Sequence, residues 1–349
     1  MPFPRRCLRL CVLALAVLPR AAARARLQPP SGRVLHCGGQ ETNDFENYSH
    51  YLGSRGPAIK MFYAGLGGLN STAPGAVAQW FVDVLAGLES DAGADGAFVV
   101  PQIGLQLPLN GEERRVADGD YDNAIAALVR GLRYLSRPAY LRIGYEFNGQ
   151  WNNYSSSSYV GAYRRIAAQI RGDPVLNASV ALVWDGSCDT KTSPAPFFPG
   201  GDVVDWQGIN LFSGDSDPSA ISPQSCLWYW LSDNSAAGTP LLIGESTPRG
   251  RNATDATTWS WFAAVSAMLD KYPIVQLFCY IDTNWITDEG GRWPGWGDAR
   301  VEVPAAAYVG SRWSRSSASR AGRTAQTKRR CSRCSASRSS ACWRRRRTT

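Results

Sequence analysis

Histidine is almost absent: His36 and His50 are the two in 349 residues. A Ser-His-Asp hydrolase needs one beside a nucleophile elbow, and no G-x-S-x-G occurs to carry it. Zinc catalysis through imidazoles lacks ligands for the same reason, and the Cys331-x-x-Cys334 pair has no second pair to complete a zinc site. There is no G-x-x-x-x-G-K-S/T phosphate loop, and Gly38-Gly39 lacks the G-x-G-x-x-G spacing of a dinucleotide site. No apolar run approaches the ~20 residues of a membrane span. Chemistry borne by carboxylates remains, with no metal and no cofactor expected.

Acid is missing from both ends. Residues 1–26 hold six Arg and no acid, and residues 314–349 hold twelve Lys or Arg and no acid. Removing those 18 from the 37 basic residues leaves 19 against 29 acids over 27–313, a net charge of −10. The basic whole-chain balance of +8 therefore does not point to nucleic acid as a partner of the central part. Arg5, Arg6 and Arg9, the apolar run Cys11–Leu18 and the small residues Ala21–Ala23 read as a secretory signal over 1–26. Residues 314–349 are Arg, Ser and Ala without apolar periodicity and read as a disordered tail; a polybasic arm for anionic surfaces is the alternative.

Four of the nine Cys lie in the central part, an even number compatible with export. Cys188 and Cys226 fall in loops and are expected to pair. Cys37 and Cys279 fall in apolar strands, where buried thiols fit equally well. Asn-X-Ser/Thr sequons stand at Asn47, Asn70, Asn153, Asn177 and Asn252.

Apolar runs predict eight strands, at 33–40, 57–63, 97–101, 140–145, 179–184, 203–212, 239–245 and 274–281. Helical spacing separates most of them: 43–52, a face Val77-Trp80-Phe81-Val84-Leu85, another Ile125-Leu128-Val129-Leu132-Leu135 behind Asp120, and one from Ser155 through Ile170. Further helices are expected around 226–231, from Asp255 through Leu269, and over 305–313. Strands alternating with helices over 27–313 predict a single α/β domain, a (β/α)8 TIM barrel.

The reacting groups of such a barrel stand at the C-terminal strand ends. Glu146 ends the fourth strand and Glu245 the seventh. Alternation along a strand puts Arg142, Gly144 and Glu146 on one face, and Leu241, Ile243 and Glu245 on another. If both faces point inward, two carboxylates meet at the mouth, as glycoside hydrolysis requires. Arg142 is then a candidate ion-pair partner for Glu146. Trp151 and Trp285 lie in polar loops where an indole can stack on a sugar face. Tyr145, Asn148, Trp184, Asn210 and Tyr280, all near strand ends, complete the candidate substrate-binding set.

The segment Arg142-Ile-Gly-Tyr-Glu-Phe-Asn-Gly-Gln-Trp151 resembles the acid/base motif of glycoside hydrolase family 26, which includes β-mannanases. Leu241-Leu-Ile-Gly-Glu-Ser-Thr-Pro248 is similar to the nucleophile strand of that family, with further matches at 204–210 and 296–300. The resemblance implies a retaining barrel glycosidase with Glu146 as acid/base and Glu245 as nucleophile. It departs at Tyr145, where the family commonly has His. It departs again at Phe212, where many clan members have a Tyr near the nucleophile, and at Gln102, near a His position after the third strand. The expectation is a secreted, monomeric hydrolase of β-linked polysaccharide, mannan endo-1,4-β-mannosidase-like. The alternatives are a hydrolase of β-xylan or mixed-linkage β-glucan, and a carbohydrate-binding pseudoenzyme on the same barrel.

Overall fold

In the computed structural model, residues 25–90, 99–212, 216–233, 238–287 and 293–302 are described. Most of the expected leader, the expected helix 305–313 and the tail 314–349 lie outside these. Eight parallel strands close into a barrel in the order β1 to β8. They are β1 (Leu35–Gly38), β2 (Ile59–Gly65), β3 (Val100–Gln106), β4 (Ala139–Ile143), β5 (Val180–Gly186), β6 (Trp206–Leu211), β7 (Leu241–Ser246) and β8 (Val275–Tyr280). The helices are α1 (Thr42–Leu52), α2 (Leu66–Leu69), α3 (Gln79–Ser90), α4 (Glu113–Asp118), α5 (Asp122–Leu135), α6 (Ser156–Gly172), α7 (Pro174–Ser179), α8 (Cys226–Trp228) and α9 (Ala256–Lys271).

Local chemistry accounts for several boundaries. The Ser155 hydroxyl accepts from the Ser158 amide at 3.3 Å and caps α6. Asp173 accepts from the amides of Val175 and Leu176, and Pro174 opens α7 where its missing N–H is no loss. The third strand is displaced from its expected 97–101: Gln102, Gly104 and Gln106 interrupt the apolar pattern, yet all three lie within β3.

Two apolar layers follow from the twofold side-chain period of the strands. Leu141, Ile143, Trp184, Ile209, Leu241, Ile243 and Tyr280 face outward, in one cluster with helix residues such as Leu128, Ile166 and Trp261. Met61, Tyr140, Val183, Trp206, Leu242 and Leu277 fill the barrel. The chain closes on itself at the β1–β8 seam, where Cys37 pairs in register with Cys279 and the two form a disulfide. The second disulfide joins Cys188 to Cys226, as expected. Arg26, at the end of the expected leader, docks on the barrel: it donates to the Asn177 carbonyl at 2.6 Å and forms an ion pair with Asp205.

Two irregularities decide what reaches the mouth. Leu241 and Ile243 face outward, so simple alternation would send Glu245 outward with them. The expected common face of Leu241, Ile243 and Glu245 is therefore corrected. In the β6–β7 pairing Ile209 opposes Ile243 but Asn210 opposes Glu245, leaving Gly244 as an extra residue. This bulge resets the phase and turns Glu245 inward. On β4 the strand ends at Ile143, and Gly144 (φ 58°) and Glu146 (φ 51°) adopt left-handed conformations. A tight turn, not alternation, presents Glu146. A side chain at Gly144 would also meet the Tyr159 ring at 2.8 Å.

Candidate active site

At the C-terminal mouth of the barrel lies a cavity of about 1040 Å³ lined by Tyr63, Tyr145, Glu146, Trp151, Glu245, Trp285 and Trp296, among others. Glu146 and Glu245 are thus brought to one space from strands three places apart. Each is held by different neighbours.

Glu146 accepts a hydrogen bond from Asn210 Nδ2 at 2.8 Å. Asn152 fixes the turn behind it, donating from Nδ2 to the carbonyls of Tyr145 and Glu146 at 2.9 and 3.0 Å. Burial raises the Glu146 carboxyl to about 8, the negative charge of Glu245 adds to this, and the bond from Asn210 opposes it. The group therefore holds a proton through neutral pH.

Glu245 sits against Arg142, the buried cation of the barrel interior. Arg142 donates from Nη2 to Glu245 Oε1, from Nε to Asp185 Oδ2 at 2.8 Å, and from Nη1 toward the Gly244 carbonyl at 3.4 Å. The sequence-based pairing of Arg142 with Glu146 is corrected accordingly: Arg142 binds the partner carboxylate. Burial opposes the charge of Arg142, but Asp185 and Glu245 more than offset it and hold the guanidinium well above its usual range. Tyr63, from β2, completes the setting of Glu245 with a hydroxyl hydrogen bond to it; burial and that anion push the phenol upward. The Tyr63 and Tyr145 rings lie 5.2 Å apart, and the Arg142 guanidinium stands 5.2 Å from the Tyr145 ring centre.

The remaining candidates divide by face. Tyr145, Trp151 and Trp285 line the cavity. Asn210 enters through its bond to Glu146. Trp184 and Tyr280 are corrected to packing residues, because strand parity turns both toward the helices. Trp184 stacks on Phe147 and donates to the Phe197 carbonyl at 3.0 Å, while Tyr280 donates to the Ala299 carbonyl at 2.6 Å. Asn148 also faces protein: it donates to the carbonyls of Ser187 and Thr192 and accepts from the Ser187 amide at 2.8 Å. It thereby shapes the cavity wall 188–192 that the Cys188–Cys226 disulfide anchors.

Tyr63, Asn152 and Asp185 surround the two carboxyls and were not among the sequence candidates, while Trp296, noted there only within the 296–300 match, lines the cavity. Phe212 packs its ring 5.0 Å from Trp296; the tyrosine hydroxyl beside Glu245 is supplied by β2 instead of the end of β6. Gln102 donates to the Gly244 carbonyl at 2.9 Å and so braces the bulge. Among the described residues, no group of three His, Cys, Asp or Glu is placed to hold a metal ion. No helix there is long and apolar enough to cross a membrane.

No family model matches the chain. A β-1,3-xylanase of a Vibrio species is 28% identical over 343 residues, covering 87% of this chain and 70% of that protein. A β-1,3-xylanase of an Alcaligenes species is 28% identical over 325 residues, covering 84% of this chain and 65% of that protein. The structure of a family 26 β-mannanase from Bacteroides ovatus superposes with a TM-score of 0.56 at 14% identity, over 82% of this chain and 89% of that one. The mannanase likeness is one of fold; the likeness in sequence is to the xylanases. In this barrel the mouth carries a protonated carboxyl on one side and an ion-paired carboxylate on the other. That is an arrangement for acid-assisted displacement at an acetal carbon.

Proposed function

We propose that the protein is a retaining glycoside hydrolase that cleaves a β-glycan internally, with β-1,3-xylan as the substrate. The observation that carries the reaction class is the contrast between the two carboxyls. Glu146 is half-buried at the mouth and protonated up to about pH 8, whereas Glu245 shares the same cavity in an ion pair with Arg142. A carboxyl held protonated by burial beside one bound to a guanidinium assigns the acid and the nucleophile.

In the first step a Glu245 oxygen bonds to the anomeric carbon as the glycosidic C–O bond breaks, and the Glu146 proton passes to the departing oxygen. Ester formation removes the charge of Glu245, which had been raising the Glu146 carboxyl. Glu146 then becomes a better proton donor and, once ionised, a base. In the second step water attacks the same carbon, its proton goes to Glu146, and the bond to Glu245 breaks with configuration retained.

Internal cleavage is supported by the placement of the aromatics. Trp151 follows β4, and Trp285 and Trp296 follow β8, diametrically across an eight-strand ring, so a glycan chain can cross the mouth between them. The preference for β-1,3-xylan rests on the two xylanase relatives; mannan, the first expectation, is supported by fold alone. The two disulfides support an extracellular place of action, which recovery of cleaved protein from culture medium tests. Reducing-end release should be measured on β-1,3-xylan, β-1,4-xylan, β-mannan and mixed-linkage β-glucan, with proton NMR of the first-formed anomer. Release from β-1,3-xylan with the β-anomer appearing first is expected. An α-anomer formed first, or no release from any of the four, would sink the reading.

A further inference from the structure

We propose that Asp185, a buried β5 residue that does not line the cavity, is a positioning residue for hydrolysis. It would act through Arg142 on the orientation and charge balance of Glu245 and Glu146. The inference rests on the retaining reading above and extends it to a residue that does not touch substrate.

Asp185 is fully buried, as is Arg142. Its Oδ2 receives Arg142 Nε at 2.8 Å, and the same guanidinium reaches Glu245 through Nη2. One planar cation is thus shared between acids from β5 and β7. The barrel makes room for this chain of charges at two glycines. A Cβ at Gly208 on β6 would stand 2.4 Å from Asp185 Oδ1, and a Cβ at Gly244 would stand 3.1 Å from Arg142 Cζ. Asp185 Oδ1 has no hydrogen-bond donor among the described residues. A buried carboxylate half-satisfied in this way is costly as structure alone. What it supplies is a fixed rotation of the guanidinium, pinned by two acids, and a net negative charge on the Asp185–Arg142–Glu245 group.

That charge matters to the chemistry. With Asp185 ionised, Arg142 orients Glu245 without fully neutralising it, so the carboxylate keeps its nucleophilicity. The titratable and charged groups around Asp185 are Arg142 and Tyr145 from β4 and its turn, Glu146, Tyr159 from α6, and Glu245 from β7. Asp185 helps raise Glu146, and Arg142 lowers it. Replacing Asp185 by Asn removes this raising charge while the lowering one of Arg142 remains, so Glu146 moves down.

The test compares wild type with Asp185→Asn on β-1,3-xylan from pH 5 to 10. Expected for the variant are a kcat lower by about tenfold or more, the scale of a hydrogen bond to a charged group, and KM within about twofold. The alkaline limb of kcat should fall by about half a pH unit or more. A folded variant with wild-type kcat and limb overturns the inference. So does a fall in activity that tracks lost stability with the limb unmoved, since that is a structural role. Should Asp185→Asn fail to fold, Gly208→Ala displaces the carboxylate while keeping its charge. It should lower kcat about fivefold or more with the limb in place, and unchanged kcat overturns the inference. Wild type inactive on all four glycans overturns the functional reading itself, which separates the two failures.

Discussion

Replacing Glu146 by Gln should make the protein more stable in alkali while removing its chemistry. The Glu146 carboxyl titrates near its ordinary 4.5 when unfolded and is raised to about 8 in the folded barrel, chiefly by burial. A carboxyl raised in this way contributes stability that is fully present below about pH 4.5 and is lost as pH rises toward 8. The Glu146→Gln variant has no proton to lose at this position and suffers no such loss. Linkage gives the wild type a penalty of about 1 kcal/mol at pH 5 and about 5 kcal/mol at pH 9. The variant should therefore gain about 4 kcal/mol on the wild type between those two pH values. Contributions from other titrating groups, including Asp185, largely cancel in the difference. Urea unfolding with disulfides intact, followed by tryptophan fluorescence at pH 5 and pH 9, measures it. A gap between variant and wild type that stays constant to within about 0.5 kcal/mol would refute the claim that Glu146 is held protonated.

Other outcomes follow from the same geometry. Arg142→Met leaves Asp185 and Glu245 buried without their cation; it should cost about 3–5 kcal/mol, and a loss below about 1 kcal/mol by denaturant titration would contradict the ion-pair assignment. Tyr63→Phe deletes the hydroxyl bonded to Glu245 and should lower kcat roughly 10- to 100-fold with an unchanged far-UV spectrum; wild-type turnover would remove Tyr63 from the site. Cys188→Ser releases the wall 188–192 from Cys226, 38 residues away. It should cost about 2–4 kcal/mol and raise KM more than it lowers kcat, and an unaltered KM would show that the wall needs no tether.

Legibility of the barrel in the sequence came from its apolar strands, since parallel strands covered on both sides read as short hydrophobic runs. β3 was misplaced because Gln102, Gly104 and Gln106 break its apolar pattern, and the buried Gln102 amide finds its acceptor only on β7, at the Gly244 carbonyl. Glu146 and Glu245 were legible as strand-end acids, but the reasons they face the mouth were not. One depends on a bulge at Gly244 and the other on left-handed turns, and neither is a pattern of hydrophobicity. Trp184 and Tyr280 were misassigned for the converse reason. Both sit at strand ends, yet only the barrel's inside–outside parity shows that they face helices. Tyr63, Asp185 and the Cys37–Cys279 bond depend on contacts between strands distant in the chain, which a single sequence does not encode locally.

The central claim, that Glu245 attacks the anomeric carbon, is tested most directly by trapping the covalent intermediate. A 2-deoxy-2-fluoro-β-xylobiosyl fluoride bearing a β-1,3 linkage should react and then turn over slowly, adding one glycosyl group to the protein. Peptide mass spectrometry should place that mass on Glu245, in the segment Leu241–Pro248. A label on Glu146 or elsewhere, or hydrolysis of natural substrate with no trappable adduct and inverted product, would contradict the account.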